Sequence, residues 1–126
     1  MNLNYMILFL IVILVLVFYL MYRYAMDSPY RIHSAYAKQL IHDNKIDVIL
    51  DVRTNLERNT LGSYPGSVHI QASELDELMP KYYPDRNIRI LAYCNSGQRA
   101  RIATEKLHYL GYVNALYIAS SHVYLL

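Results

Sequence analysis

Cys94 is the single thiol of the chain, and around it the sequence reads Ile88-Arg-Ile-Leu-Ala-Tyr-Cys-Asn-Ser-Gly-Gln-Arg-Ala-Arg101. Ile90, Leu91, Ala92 and Tyr93 form a short apolar run, so the cysteine falls where a buried strand ends. Gly97 gives the next residues the freedom to curl tightly, and a helix is expected to start near Gln98 or Arg99. A loop that closes onto a helix N-terminus aims unpaired N–H groups and the positive end of the helix dipole into its bowl. The group in the bowl would be the sulfur of Cys94. Those amides and the guanidinium of Arg99 favour thiolate over thiol, the form that a nucleophilic cysteine needs. The opposing reading is a small buried hydrophobe with no chemistry.

The elements that must position this loop alternate along the chain. Ser34 is expected to cap a helix running to about Asp43, with Ala37, Leu40 and Ile41 inward and Asn44 as its stop. Ile46 to Val52, rich in β-branched residues, predicts a buried parallel strand. Leu56-Glu57-Arg58 opens a helical turn, across which Arg53 and Glu57 are close enough to pair. Gly62-Ser-Tyr-Pro-Gly66 is a turn cluster before a second strand over Ser67–Ile70, where His69 reads as a packing or hydrogen-bonding residue. Ser73 could cap a helix over Glu74–Lys81, with Pro84 ending the segment. After the cysteine, a helix to about Leu110 would turn Ile102, Ala103, Leu107 and Leu110 inward, and Gly111 would stop it. A last strand covers Tyr112–Ile118. Such alternation predicts an α/β domain with a mainly parallel central sheet flanked on both faces.

Ahead of this domain, Tyr5 to Tyr22 carries no charged side chain. As a helix it covers about 27 Å, close to the roughly 30 Å of a bilayer's hydrocarbon core. Tyr5 at one end and Tyr19, Tyr22 and Tyr24 at the other are placed like interfacial aromatic belts. A cleaved signal peptide is the competing reading, but no basic residue precedes the stretch and no small-x-small site follows it. The expected organisation is a tail over 1–4, a transmembrane helix over 5–24, a linker over 25–31 with Asp27-Ser28-Pro29 as hinge, and a domain over 32–126. Arg23, Arg31 and Lys38 follow the span and no Lys or Arg precedes it, which predicts a single-pass protein with a cytoplasmic domain. One cysteine excludes an internal disulfide and is compatible with a reducing compartment. The formal charge of +2 is scattered rather than clustered, so nucleic acid is not an expected partner.

With these pieces in order, the residues from about Ile32 to Ala119 resemble the rhodanese-like domain. Ile49-Leu-Asp-Val-Arg53 with Glu57 is similar to that family's first strand and turn, and Gly62-Ser-Tyr-Pro-Gly-Ser-Val-His-Ile70 to its glycine-proline-glycine turn. Cys94-Asn-Ser-Gly-Gln-Arg99 resembles its active-site loop. The family's sulfurtransferases have arginine at the fifth position after the cysteine, whereas related phosphatases use a loop longer by one residue. Arg99 stands at the fifth position and Ala100 at the sixth. A tighter bowl suits a sulfur atom better than a tetrahedral phosphate. The resemblance therefore implies a three-layer fold and a persulfide carried on Cys94, loaded from an anionic donor such as thiosulfate and unloaded to cyanide or a thiol. It implies that Cys94 and Arg99 act in catalysis, and that Asn95, Ser96, Gly97 and Gln98 hold the anionic sulfur with Arg101 attracting the donor. Asp51, Arg53 and Glu57 would support the site, and neither a cofactor nor a metal is called for. Arsenate reduction would need a second cysteine. The alternatives are a rhodanese-like module that recruits partners at a membrane with little or no turnover and, more distantly, a phosphatase. Ser63 replaces a histidine usual in the second turn. Ala119-Ser-Ser-His-Val-Tyr-Leu-Leu126 stands where the family commonly has a glycine pair and a closing helix, so a more open site is expected.

Overall fold

Residue alternation along one central strand decides what reaches each face of the molecule. The computed structural model describes residues 2–126. Its central strand, β4 (Ile90–Tyr93), is buried throughout. Ile90, Ala92 and Cys94 point into one core with Leu50, Leu75, Met79, Ala103 and Leu107, while Leu91 and Tyr93 point into the other with Ala37, Ile118 and Leu125. Around β4 lie β1 (Arg31–Ile32), β2 (Val48–Asp51), β3 (Val68–His69) and β5 (Ala115–Ile118), in the order β1-β5-β4-β2-β3 and all parallel. The helices α2 (Ser34–His42), α3 (Asn55–Leu61), α4 (Leu75–Tyr82) and α5 (Gln98–Tyr109) supply the return paths that parallel pairing requires. The three-layer expectation holds.

Several local details differ from the sequence reading. Ser34 lies inside α2, whose cap is His33 with no side-chain bond. Ser73 sits in a short 3-10 turn over Ala72–Glu74, and α4 follows it with Pro80 inside the helix. Ile102 is 52 % exposed rather than inward, because α5 buries the stripe Ala100, Ala103, Thr104 and Leu107. The strands expected over Ser67–Ile70 and Tyr112–Ile118 shorten to β3 and β5. β1, too short to carry a periodic signal, was not expected at all; it joins the sheet by pairing Arg31 with Tyr117. Asn44 and Gly111 do stop their helices, with φ of 55° and 99°.

The first helix, α1 (Leu3–Met26), behaves as two segments. From Leu3 to Tyr22 its large apolar side chains are exposed, and it is long and apolar enough to cross a membrane. Its last turn instead docks on the domain. Ala25 is buried, and its carbonyl accepts a 2.5 Å hydrogen bond from the Tyr117 hydroxyl. Arg101 donates to the Tyr24 carbonyl and stacks on the Tyr24 ring, while the Gln98 amide donates to the Met21 carbonyl. The stretch expected to be a hinge is tied down as well, with the Tyr30 N–H bonded to the Ser28 hydroxyl and the Arg31 N–H to the Ser28 carbonyl.

At the other terminus, a 3-10 turn over His122–Leu125 folds back against α2 and buries Leu125. Leu125→Ala should lower stability by about 2 kcal/mol, read as a lower urea midpoint with unchanged slope. A midpoint like that of the parent would mean that the tail does not close this core.

Candidate active site

Cys94 is 1 % exposed. Its sulfur lies at the carboxyl edge of β4, where the chain bends through Gly97 (φ +107°) into α5. The Gly97 N–H donates to Sγ at 3.0 Å. A sulfur anion accepts such a bond more strongly than a neutral thiol. Glycine is required here on two grounds. Few side chains tolerate that φ, and a Cβ would lie 2.7 Å from Ala119 Cα and 3.1 Å from Ala25 Cβ. The residue after β5 and the end of α1 therefore wall the loop at Gly97.

The side chains of the loop do not all turn into the bowl. Arg99 makes a bidentate pair with Glu57, Nη1 to Oε1 at 2.6 Å and Nη2 to Oε2 at 2.8 Å. The expected Arg53–Glu57 pair is thus absent, and each residue has another partner. Asn95 donates to Glu57 at 2.6 Å and accepts from Arg53 at 3.3 Å. Ser96 and Gln98 bond each other, and Gln98 and Arg101 reach back to α1. Arg101 is also paired with Glu105, so it belongs to the joint between α1 and α5 rather than to the bowl.

Behind the loop lies a buried charge pair. Arg53 Nε and Nη2 donate to the two carboxylate oxygens of Asp51 at 3.0 and 2.9 Å, and the Arg53 backbone N–H adds a third bond at 3.0 Å. Tyr93 and Arg58 donate to the same carboxylate at 3.1 and 3.0 Å. Burial opposes the charge of Asp51, but the bonds and charge of Arg53, with the Tyr93 hydroxyl, outweigh it and hold the carboxyl below its usual range. Arg53 also donates to the Gly62 carbonyl, and its own carbonyl accepts from His69 Nε2, both at 2.6 Å. Sequence reasoning missed Arg58, Tyr93 and His122 as members of this neighbourhood. No local pattern marks them, since each reaches the site from a different element.

α3 holds Glu57 in place through its own start. Thr54 and Glu57 form a reciprocal capping box, the Glu57 N–H donating to the Thr54 hydroxyl and the Thr54 N–H to the Glu57 carboxylate. Arg99, followed by Thr54, brings the Glu57 carboxyl far below the ordinary carboxylate range, and Glu57 in turn raises Arg99. Beside Asn95 a pocket of about 410 Å³ is lined by Arg53, Leu61, Asn95, Ser121, His122 and Val123. The His122 ring is buried with Nδ1 unpartnered, and burial together with Arg53 lowers its pKa. A smaller concavity of about 310 Å³, next to Tyr36, Ile46 and Arg89, lies at the amino edge away from Cys94.

Comparison with known proteins agrees with this fold. The family model of the rhodanese-like domain matches residues 33–121. Among solved structures, a rhodanese-related protein from Thermoplasma volcanium is 30 % identical with a TM-score of 0.59, covering 72 % of this chain and 84 % of its own. A human single-domain sulfurtransferase is 22 % identical with a TM-score of 0.64, covering 77 % and 95 %, a likeness of fold. A thiosulfate sulfurtransferase from Pseudomonas aeruginosa is 25 % identical with a TM-score of 0.61, covering 72 % of this chain but 17 % of its own. No curated protein matches by sequence.

The Arg99–Glu57 pair yields a pH prediction. Because the folded state depresses Glu57, its contribution is complete above the unfolded value of about 4.5 and is lost as pH falls towards the folded value. The pair is partly exposed, so Glu57→Gln should cost about 1 kcal/mol at pH 7. In urea titrations the gap from the parent should begin to close below about pH 4.5. A gap unchanged between neutral and acid pH would remove Glu57 from this role.

Proposed function

This chain belongs to the rhodanese-like domain family, and from that premise we propose that it is a membrane-anchored sulfurtransferase working through a persulfide on Cys94. The observation that carries the reading is the short bowl itself. Its cysteine sulfur is met by the Gly97 N–H at 3.0 Å, and its arginine stands five positions on. The Cys94 thiolate attacks the outer sulfur of an anionic donor such as thiosulfate. The sulfur–sulfur bond of the donor breaks, and sulfite leaves with the electron pair. The outer sulfur of the resulting persulfide is then attacked by cyanide or a thiolate; the Cys94–sulfur bond breaks and the thiolate is regenerated. Each half is a displacement, so no external oxidant or reductant enters.

In this mechanism the loop from Asn95 to Gln98 encloses the carried sulfur, with the Gly97 amide donating to the Cys94 Sγ that bears it. Arg99, oriented by Glu57, supplies a fixed positive charge at the rim. Asp51 and Arg53 set the frame through Asn95. A phosphate is disfavoured because a tetrahedral group needs the longer loop. A module with little turnover is the second reading, and the closed Arg99–Glu57 clamp favours it, since both guanidinium nitrogens that could face a donor are engaged.

For the anchor, cleavage as a signal peptide would strip away Ala25, Tyr24 and Met21, which pack on the domain, and this supports a retained span. The positive charges after the span support a cytoplasmic domain.

The test uses the full-length protein in detergent, incubated with thiosulfate and examined by intact mass. A gain of about 32 Da that is absent in Cys94→Ala and removed by cyanide is the expected result. Arg99→Ala should slow transfer about tenfold, as for the loss of one charge-assisted contact. A folded protein that gains no mass and makes no thiocyanate would leave the non-catalytic reading standing.

A further inference from the structure

Contacts between α1 and α5 fix the side of the domain on which a membrane would lie. Met21 meets Gln98, and Tyr24 meets Arg101. Ala25 also packs on Gly97, so the last turn of α1 lies against the start of α5, while its large apolar side chains from Leu3 to Tyr22 are exposed. α5 starts at the carboxyl edge of the sheet and runs away from it, because β5 must begin again at the amino edge beside β4. The body of α1, from Tyr22 back to Leu3, therefore extends beyond the carboxyl edge, the edge that holds Cys94.

Depth follows from length. A 24-residue helix is about 36 Å long and the hydrocarbon core about 30 Å, so roughly the last turn stands clear of it. That turn starts at Arg23, the first charged residue of the chain. Met21 and its partner Gln98 are then level with the hydrocarbon boundary, and the loop of Cys94 is level with the headgroups.

The remaining surface of this edge suits that position. Leu61 at the end of α3 and Val123 in the tail are 58 % and 57 % exposed, and both line the pocket beside Asn95. Leu56 and Tyr124, on the same two elements, are also exposed. The charges of α3 are committed inward, Glu57 to Arg99 and Arg58 to Asp51 and Ser67. The tail from Ala119 to Leu126 has no acidic or basic side chain apart from the buried His122. At the amino edge, by contrast, Asp47 and Arg89 form an exposed pair, and Lys45 and Asp85 are exposed nearby.

We infer that the carboxyl edge, through Leu61 and Val123, is a lipid-contacting surface, seated in the headgroup layer with the pocket beside Asn95 opening onto the bilayer. The inference rests on the anchored reading of α1 and is independent of sulfur transfer. Placing apolar side chains without unpaired charge in the interface is the pattern by which peripheral elements hold a membrane surface.

The chain has no tryptophan, so single reporters can be read without background. The full-length variants L61W, V123W, Y109W and L14W would each be reconstituted in bilayers of phosphatidylcholine with and without brominated acyl chains. Tyr109 is 90 % exposed at the far end of α5. L14W emission should fall severalfold in brominated lipid. L61W and V123W should fall about twofold, as expected for side chains roughly 5–10 Å into the boundary, and Y109W should be unchanged. Quenching of L14W with L61W and V123W as silent as Y109W would overturn the inference and leave the anchor intact. Silence at L14W would overturn both, and neither outcome bears on persulfide formation.

Discussion

The buried pair of Asp51 and Arg53 is the constraint around which the site is assembled. Both side chains are almost without solvent access, at 0 % and 1 % exposure, so neither charge could be buried alone. Removing one partner of such a pair costs on the order of 3–5 kcal/mol, because it strands the other. The remaining hydrogen-bonding capacity of both groups is then directed outward into the fold. Asp51 takes Tyr93 from β4 and Arg58 from α3, while Arg53 takes the Gly62 carbonyl and Asn95. One pair thereby ties the second strand, the third helix, the turn after it and the cysteine loop into a single network.

Outside this frame, a second ion pair works at a different level. Arg99 and Glu57 are partly exposed, and their worth to stability is small. What they supply is orientation. The capping box at the start of α3 fixes Glu57, and Glu57 fixes Arg99 beside the cysteine loop. The same clamp that positions the guanidinium also occupies it, so its charge acts at the rim by proximity, and any direct contact with a donor would have to share it with Glu57.

Gly97 joins the site to the rest of the chain by steric contact alone. Pressed between Ala119 and Ala25, it fixes how near the end of β5 and the last turn of α1 can approach the sulfur. The long apolar helix is therefore no loose tether. Its final turn forms one wall of the loop, and its direction decides which edge of the sheet faces the membrane in the anchored reading. The tail over His122–Leu125 sets the His122 ring at a tilt against Tyr93 and fills the core beneath α2 with Leu125.

Features legible in the sequence are those that depend on neighbours within a few residues. Strand–cysteine–glycine–helix, the parallel α/β alternation, the helix stops at Asn44 and Gly111 and the apolar stretch of α1 are all encoded by local type and spacing. The spacing of Cys94 and Arg99 belongs with them, because loop length is a property of the chain itself. Partner choice lay beyond that reach. Arg53 and Glu57 are near in sequence yet do not pair, since Glu57 meets Arg99 42 positions away and Arg53 turns inward to Asp51. Arg101 was expected near the donor and is held by Tyr24 across 77 positions. Ile102 faces solvent because α5 rotates to seat smaller residues against the sheet. A charged or apolar side chain has many acceptable partners by type, and only the packing of distant elements selects one of them.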